Sequence, residues 1–474
     1  MKKTKIVATI GPATETEQTL EKLIDAGLNV MRLNFSHGDF AEHQIRVDNL
    51  RKVCKKTGAS VAILQDLGGP KIRIGNFKTE SIELKKGQTF TLTTEDVVGD
   101  ESIVSVNYPL LPKEVEKGHI IFLHDGKKKL EVTEVKGNNV ICKVLVGGDI
   151  KGRRGVNLPD SDLSIKSLTE KDLKDLEFGI KNNVDFIALS FVRKPSDIIE
   201  LREILKKRKS DAGIIAKIET PQAISCIDEI IGLVDGIMIA RGDLAIEVPF
   251  EKVPSYQKMM IKKCNEAGKP VITATQMLES MIKSPVATRA EISDIANAIL
   301  DGTDAIMLSE ETTLGNFPVE AVSVMRTIAL EVESNYPERI IKRIMKGMGV
   351  NGETKISDSI TSSVVKTAHD VGAKVIVALT DSGFTARMIS RHKPTAQILA
   401  LTPNERTSNK LNLVFGCRST VLPRYKTIED VYKIVRSQCL EKKLARKGDK
   451  VVIVAGVPFN TKGLSTNMLV IQEI

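Results

Sequence analysis

The chain has 474 residues, 42% of them hydrophobic and 27% charged, with no tryptophan and a formal charge of +9. This is the composition of a soluble globular protein of about two to four domains, and no apolar run approaches the length of a membrane span. Lys and Arg are spread along the whole chain and stacking aromatics are scarce, which argues against nucleic acid and leaves small anions or plain solvated helix faces to account for the charge.

Taken in chain order, MKKTKIVATIGPAT has a short apolar run cut by a Gly-Pro turn, and reads as a first strand rather than a signal peptide. β-rich runs recur at KIVATI (5–10), NVMRLNF (29–35) and SVAILQDL (60–67). The helical patterns between them start at Thr14-x-x-Glu17 and Asp39-x-x-Glu42, which look like capping boxes, and stop near Gly27 and Gly58. Residues 71–160 change texture: SIELKKGQTFTL, HIIFLHDGKKKLEV and NNVICKVLVGG are short alternating runs between turns. They predict a small β domain inserted after the third strand, placed to act as a lid. Strand–helix alternation resumes with FIALSFV (186–192), GIIAKIE (213–219), GIMIARG (236–242), PVITATQ (270–276) and AIMLSEE (305–311). Eight such units over 1–70 and 161–345 predict a (β/α)₈ barrel, with a doubly wound open sheet as the alternative because local pattern does not show closure. Over 346–474, after the connection IMKGMGVNGETKISD, the runs AKVIVALT, QILALTP, CRSTVLP, DKVVIVAG and NMLVIQEI alternate with helices and predict a C-terminal α/β domain.

Polar residues gather at the carboxyl ends of the predicted barrel strands: Arg32, Asn34 and Ser36; Asp66; Lys217 and Glu219; Asp243; Thr275; Ser309 and Glu311. Lys217 and Glu219, two apart, point to the same side of their strand, and buried charges require partners or a ligand. One charged strand end can be a structural ion pair, but six contributing at once point to an active-site rim. Glu219 and Asp243 are hard oxygen donors with little competing Cys or His, which suits Mg²⁺ or Mn²⁺. Arg32, Arg73 and Lys217 supply fixed positive charge, and a metal with arginines and a lysine is the equipment of phosphoryl transfer. No Walker-type GxxxxGK[ST] or kinase glycine-rich loop is present. Cys54, Cys142, Cys226, Cys264, Cys417 and Cys439 form no CxxC pair, which suits reduced thiols in a cytoplasm.

TKIVATIGPAT, MRLNFSHG, GPKIR, GVNLP, AKIET, ARGDLAIE, TATQMLESM, PVATRAE and DAIMLSEET follow one another from end to end, and the ordered set closely resembles the pyruvate kinase family. The resemblance implies phosphoryl transfer from phosphoenolpyruvate to ADP, giving pyruvate and ATP in glycolysis, on a TIM barrel with a small β-barrel lid and a C-terminal regulatory domain. It implies that Arg32 and Arg73 bind phosphate groups, and that Lys217 touches the phosphoryl group in transit and steadies the enolate. Glu219 and Asp243 would hold the divalent ion, and the backbone N–H groups from Ala240 to Asp243 would face the substrate carboxylate. Thr275 would lie near that carboxylate and the methylene carbon. Asn34, His37, Arg73 and Arg154 would contact nucleotide.

The stretch Asp66-Leu67-Gly68-Gly69-Pro70-Lys71 departs from relatives that need K⁺, which carry a Thr-Lys pair after the aspartate and a Glu after the proline. Lys71 resembles the K⁺-independent branch, a tethered ammonium replacing the ion beside Asn34, Ser36 and Asp66; a solvated hinge lysine is the plainer reading. Ser309-Glu310-Glu311-Thr312 is a second departure, since relatives often have Gly between Ser and Glu. TDSGFTA (380–386) resembles the family's effector-phosphate loop, with Thr380, Ser382, Gly383 and Thr385 as an anion nest and GVPFNTKGLSTN (456–467) as the opposite wall; an ordinary strand–helix turn is the alternative. Phosphate-type allosteric control, a homotetramer, a cytoplasmic location and the absence of a further C-terminal domain complete the expectation, with neither nucleic acid nor membrane as partner. A metal-dependent lyase or aldolase of pyruvate enolates is the alternative enzyme, and a non-catalytic sensor of phosphorylated metabolites a third reading. Arg73 and the lid favour the kinase over the lyase; Lys217, Glu219 and Asp243 together favour it over the sensor.

Overall fold

Residues 1–335, 356–425, 427–458 and 466–474 are described by a computed structural model. The expected boundary at 345/346, most of its connection and most of the loop 456–467 lie outside the described residues. Each of the eight runs forms a strand: β1 (Lys5–Thr9), β2 (Val30–Asn34), β3 (Ala62–Asp66), β4 (Phe186–Leu189), β5 (Gly213–Ile218), β6 (Gly236–Ala240), β7 (Val271–Ala274) and β8 (Ala305–Leu308). They close as a barrel in the order β1-β8-β7-β6-β5-β4-β3-β2. Closure follows from β1 pairing in parallel with both β8 and β2, which rules out the open sheet.

Strand alternation explains where the charges go. Val7, Val30, Leu64, Ala188, Ile215, Met238 and Ile272 share one apolar cluster inside the barrel. Two residues further along five of these strands stand Thr9, Arg32, Asp66, Ser190 and Lys217, so the same inward rows end in a polar layer at the carboxyl rim. Leu413, from the C-terminal unit, belongs to the interior cluster too. The opposite faces of the strands pack on the surrounding helices in a larger core.

The strands stop short of the predicted runs. β5 ends at Ile218, β6 at Ala240, β7 at Ala274 and β8 at Leu308, leaving Glu219, Gly242, Thr275 and Ser309 just beyond the ladder. Thr16, not Thr14, caps the first helix (Glu17–Ala26), accepting from Thr19 N. Thr14 is committed elsewhere: its hydroxyl accepts from Gly11 N (3.2 Å) and donates to Thr312 O (2.7 Å). Asp39 caps the second helix (Phe40–Thr57) as expected, while Glu42 pairs with Arg46 (3.3 Å) rather than closing the box. Gly27 and Gly58 end these helices at positive φ.

The inserted segment leaves after β3 and returns before β4, although those two strands pair directly, Asp66 opposite Ala188. It forms a six-stranded mixed sheet, running in space from Val156–Asn157 to Ile103–Ser105, whose two edges are bridged through Arg73 (to Gly155) and Ile74 (to Val106), and a separate ribbon of Ser81–Leu84 with Gly148–Lys151. Both enclose one core that includes Phe90, Leu123, Leu130 and Ile150.

The C-terminal unit is a five-stranded sheet of β9 (Val375–Leu379), β10 (Gln397–Thr402), β11 (Cys417–Val421), β12 (Lys450–Ala455) and β13 (Met468–Glu473), in the order β11-β10-β9-β12-β13. Only β13 is antiparallel to its neighbour, and each face carries its own core. The unit seats on the barrel's amino end through a buried Lys393–Asp304 pair (2.8 Å) and through Arg406, which reaches Asp211 (2.7 Å) and the carbonyl of Val184 (3.2 Å). Among the described residues no helix is long and apolar enough to cross a membrane.

Candidate active site

The rim layer converges on Lys217. Its ammonium donates to Ser190 Oγ (2.6 Å) and lies 3.3 Å from Asp66 Oδ1 and 3.0 Å from Glu219 Oε1. Burial opposes the charge, but Asp66 and Glu219 outweigh it and hold the ammonium above its ordinary range. Asp66 accepts from Arg32 Nε (2.7 Å), and burial, which would raise its pKa, is overcome by Lys217 and Arg32. Arg32 Nη1 also donates to Thr9 Oγ1 (2.7 Å), so the guanidinium is fixed from two sides. Five strands therefore supply one locked network in which neither cation can be lost without stranding a carboxylate.

Glu219 is wholly buried, and its Oε2 accepts from Phe191 N (2.7 Å). Burial raises its pKa to about 7, with Asp243 adding to the rise and Lys217 opposing it. Its Oε1 meets the Lys217 charge but carries no aligned hydrogen bond. A divalent cation would relieve both the mutual repulsion of Glu219 and Asp243 and this bare oxygen, so the donor pair fits one. Among the described residues no group of three or more His, Cys, Asp or Glu side chains forms a closed metal cage. Two carboxylates beside an open cleft suit Mg²⁺, which keeps waters and substrate oxygens in its shell.

Across the mouth, Gly242 N donates to Thr275 Oγ1 (2.7 Å). Thr275 and Gln276 both adopt left-handed backbone, φ 71° and 53°, a rare state for a β-branched residue. Lid and barrel meet where Asn157 Nδ2 donates to Glu247 Oε1 (2.7 Å). Burial raises the pKa of Glu247 to about 7, although Asn157 and Arg193 favour its charged form.

The space between lid and rim has two lobes. One, of about 980 Å³, is bounded by Asp125, Gly126, Asp243, Ile246 and Glu310. The other, of about 420 Å³, sets Lys71, Arg73, Arg153, Arg154 and Arg193, with His37, against the carboxylates Asp125, Asp243, Glu247 and Glu310. Burial lowers the pKa of His37, and the charges of Lys71 and Arg73 lower it further. Lys71 is exposed along its length, yet the cleft desolvates its ammonium and lowers its pKa, with Asp243 opposing. Asn34 lies opposite Asp66 in the β2–β3 ladder and accepts from Ser36 N (3.1 Å), so Asn34, Ser36 and Asp66 stand together.

The consecutive glutamates after Ser309 divide their tasks. Glu310 faces both lobes, whereas Glu311 turns inward to accept from Ser309 N (2.7 Å) and Leu278 N (3.1 Å). Thr380, Ser382, Gly383 and Thr385 lie elsewhere, in the C-terminal unit. Gly383 has φ 78° at the start of a helix, and Thr385 Oγ1 lies 2.8 Å from Thr466 Oγ1, a buried contact. Ser382 and Asp381 are exposed, and Asp381 pairs with Arg424 (3.0 Å). Sequence reading passed over Ser190, Arg193, Arg241 and Glu247; only Ser190, inward by the alternation of its own strand, carried a local signal.

A family model described as the pyruvate kinase barrel domain matches residues 1–322, and one described as the pyruvate kinase alpha/beta domain matches 358–472. A pyruvate kinase of Staphylococcus saprophyticus is 48% identical over 472 residues, covering 99% of this chain and 80% of the relative. One of Staphylococcus aureus is 46% identical over 476 residues, covering 100% of this chain and 81% of the relative. The crystal structure of a pyruvate kinase from Cryptosporidium parvum superposes with a TM-score of 0.94 at 39% identity, covering 100% of this chain and 96% of that one.

Proposed function

The chain belongs to the pyruvate kinase family and is a phosphotransferase, and from that premise we propose how its residues move the phosphoryl group of phosphoenolpyruvate to ADP. The observation that carries the reading is Lys217, a buried ammonium kept charged by Asp66 and Glu219 at the barrel's carboxyl rim. A β-phosphate oxygen of ADP attacks phosphorus, the bond to the enolate oxygen breaks, and the enolate takes a proton at its methylene carbon. Lys217 neutralises charge on the transferring group and then on the enolate oxygen. Arg32, immobilised by Asp66 and Thr9, and Arg73, at the lid's base, hold the phosphates in line. Asp243 presents its backbone N–H to the substrate carboxylate, beside Gly242, whose own N–H is held by Thr275 Oγ1. The Thr275 hydroxyl stands over the methylene carbon and orders a water that delivers the proton, since a hydroxyl alone is a poor acid. His37, Asn34 and Arg154 contact the nucleotide.

Glu219 and Asp243 are the residues that would hold Mg²⁺ or Mn²⁺; when bound, the ion would supply charge neutralisation for phosphoryl transfer. Lys71 stands in for K⁺ beside Asn34, Ser36 and Asp66. The lid spans 71–160, within a barrel of 1–70 and 161–345, and residues 346–474 form a regulatory unit whose Thr380, Ser382, Gly383 and Thr385 receive a phosphorylated effector. A cytoplasmic homotetramer acting in glycolysis completes the proposal. The comparisons lend no support to a lyase or aldolase.

The test is ADP-dependent pyruvate formation from phosphoenolpyruvate with Mg²⁺, in K⁺-free buffer and again with K⁺. Full activity without K⁺ supports the role given to Lys71. Activity only with K⁺ removes that role and leaves the rest standing, and no turnover in either buffer by folded protein overturns the assignment of the cleft.

A further inference from the structure

Arg241 is the first residue after β6 and stands beside Gly242, but its guanidinium is engaged with β7. The β6–β7 ladder ends at the pair Ala240–Ala274. Past that point the β7 chain turns into left-handed backbone at Thr275 and Gln276, and its carbonyls need new donors. Arg241 supplies them: Nε donates to Ala274 O (3.2 Å) and Nη2 to Thr275 O (2.8 Å). Its remaining nitrogen, Nη1, donates to Asp294 Oδ1 (2.8 Å) on the helix Arg289–Asp301 and to Gln257 Oε1 (3.4 Å) on the helix Val253–Ala267. The guanidinium plane is thus anchored on two helices and grips two consecutive carbonyls.

That grip bears on the mouth of the cleft. Ala274 O, which receives Arg241 Nε, also receives the Thr275 hydroxyl (2.6 Å), and Thr275 Oγ1 in turn receives Gly242 N (2.7 Å). The chain of bonds runs from Asp294 through Arg241 to the β7 end and back to the residue after Arg241 itself. A left-handed β-branched residue persists only where its surroundings over-determine it, and here Arg241 holds the two carbonyls at the turn while Gly242 N holds the hydroxyl.

We propose that Arg241 is a positioning residue for phosphoryl transfer: its fork, clamped by Asp294, holds Thr275 in the left-handed conformation, and with it the bonded Gly242–Thr275 pair at the substrate end of the cleft. This rests on the placement of Gly242 and Thr275 at the substrate given above. A lysine cannot replace the fork, because a point charge on a flexible stem does not span two carbonyls and a carboxylate in one plane.

The experiment compares steady-state kinetics and melting of full-length Arg241→Lys, Arg241→Ala, Asp294→Asn and Thr275→Ala. Arg241→Lys and Arg241→Ala are expected to lose about 10²-fold in kcat, the scale of a small misplacement of reacting groups. KM for phosphoenolpyruvate rises while KM for ADP stays within about twofold, because the lost contacts are at the substrate end of the cleft. Methylguanidinium added to Arg241→Ala restores part of kcat, which a general loss of folded protein does not allow. Should Arg241→Ala fail to fold, Asp294→Asn carries the test: it keeps the arginine, loosens its clamp, and should lose about tenfold in kcat. Wild-type kcat and wild-type KM for phosphoenolpyruvate in both Arg241→Lys and Asp294→Asn overturn the proposal. If Thr275→Ala is impaired while the Arg241 variants are not, only the positioning role falls; if Thr275→Ala is also unimpaired, the substrate site itself is misplaced.

Discussion

Lys217 sits where two carboxylates and a serine oxygen converge, so its removal is felt twice. Lys217→Met should lower kcat by about 10²–10³-fold, the scale of losing one preorganised charge. It also leaves Asp66 and Glu219 facing each other, and the variant should melt earlier than the parent in the same buffer. A second residue-scale effect concerns His43, stacked on Phe35 at 4.1 Å with Nε2 3.0 Å from His37 O. Burial, then the Arg46 charge, drives its pKa from 6.5 to about 4, and His392 is driven to about 4 by burial and Arg391. The unfolded chain takes up these protons near pH 6.5 and the folded chain only near pH 4, so their stability contribution is complete above pH 6.5 and drains away as the pH falls toward 4. Each is worth roughly 3 kcal/mol across that window at about 1.4 kcal/mol per pH unit. His43→Leu should therefore lose about half of the pH slope shared by the two histidines, read by urea unfolding at pH 7.5 and 5.0. The charged rim was legible because strand alternation is local. Glu247 and Arg241 were not, because their partners lie 90 and 53 residues away.

At the scale of elements, the bond from Asn157 to Glu247 is the lid's tie to the barrel. Asn157→Ala leaves the half-buried Glu247 carboxylate short of a donor, an error that costs at most about 1–3 kcal/mol. The expected result is faster amide exchange in the lid strands flanking Val156–Asn157 and a several-fold rise in KM for ADP, with the barrel strands unchanged. Unchanged exchange would show that the lid is held by its hinge alone. Existence and type of the barrel elements could be read from the chain because buried parallel strands and amphipathic helices have distinct periods. Their ends could not: Thr14 satisfies the cap pattern as well as Thr16 does, and only the approach of Thr312 O, beside it in space but 298 residues away in sequence, decides between them. Residues past β5 to β8 keep a strand-like composition, yet they leave the ladder where the backbone turns to present side chains at the rim.

For the whole molecule, the seat of the C-terminal unit is the vulnerable joint. Lys393 and Asp304 are both nearly fully buried, 2.8 Å apart, and Asp304 also accepts from Phe415 N (3.2 Å) and Val271 N (3.2 Å). Breaking such a pair from one side costs about 3–5 kcal/mol, because it strands the other charge. Lys393→Met should therefore destabilise the protein far more than Lys393→Met combined with Asp304→Asn, as measured by urea denaturation. Nothing local announced this joint; it exists only once the barrel has closed and the C-terminal sheet has docked.

The direct pairing of β3 with β4 has a consequence for how the chain folds. Ile63 N bonds to Asp185 across 122 residues, so this seam of the barrel cannot form until the intervening segment has been looped out, at an entropic cost that grows with loop length. That segment carries its own core and pairs its strands largely with near neighbours, so it can condense first and bring its two ends close. Each halving of the effective loop lowers the closure cost by about 0.6 kcal/mol. The module that covers the cleft in the finished protein thus also serves, earlier, as the fastener that lets the ring shut.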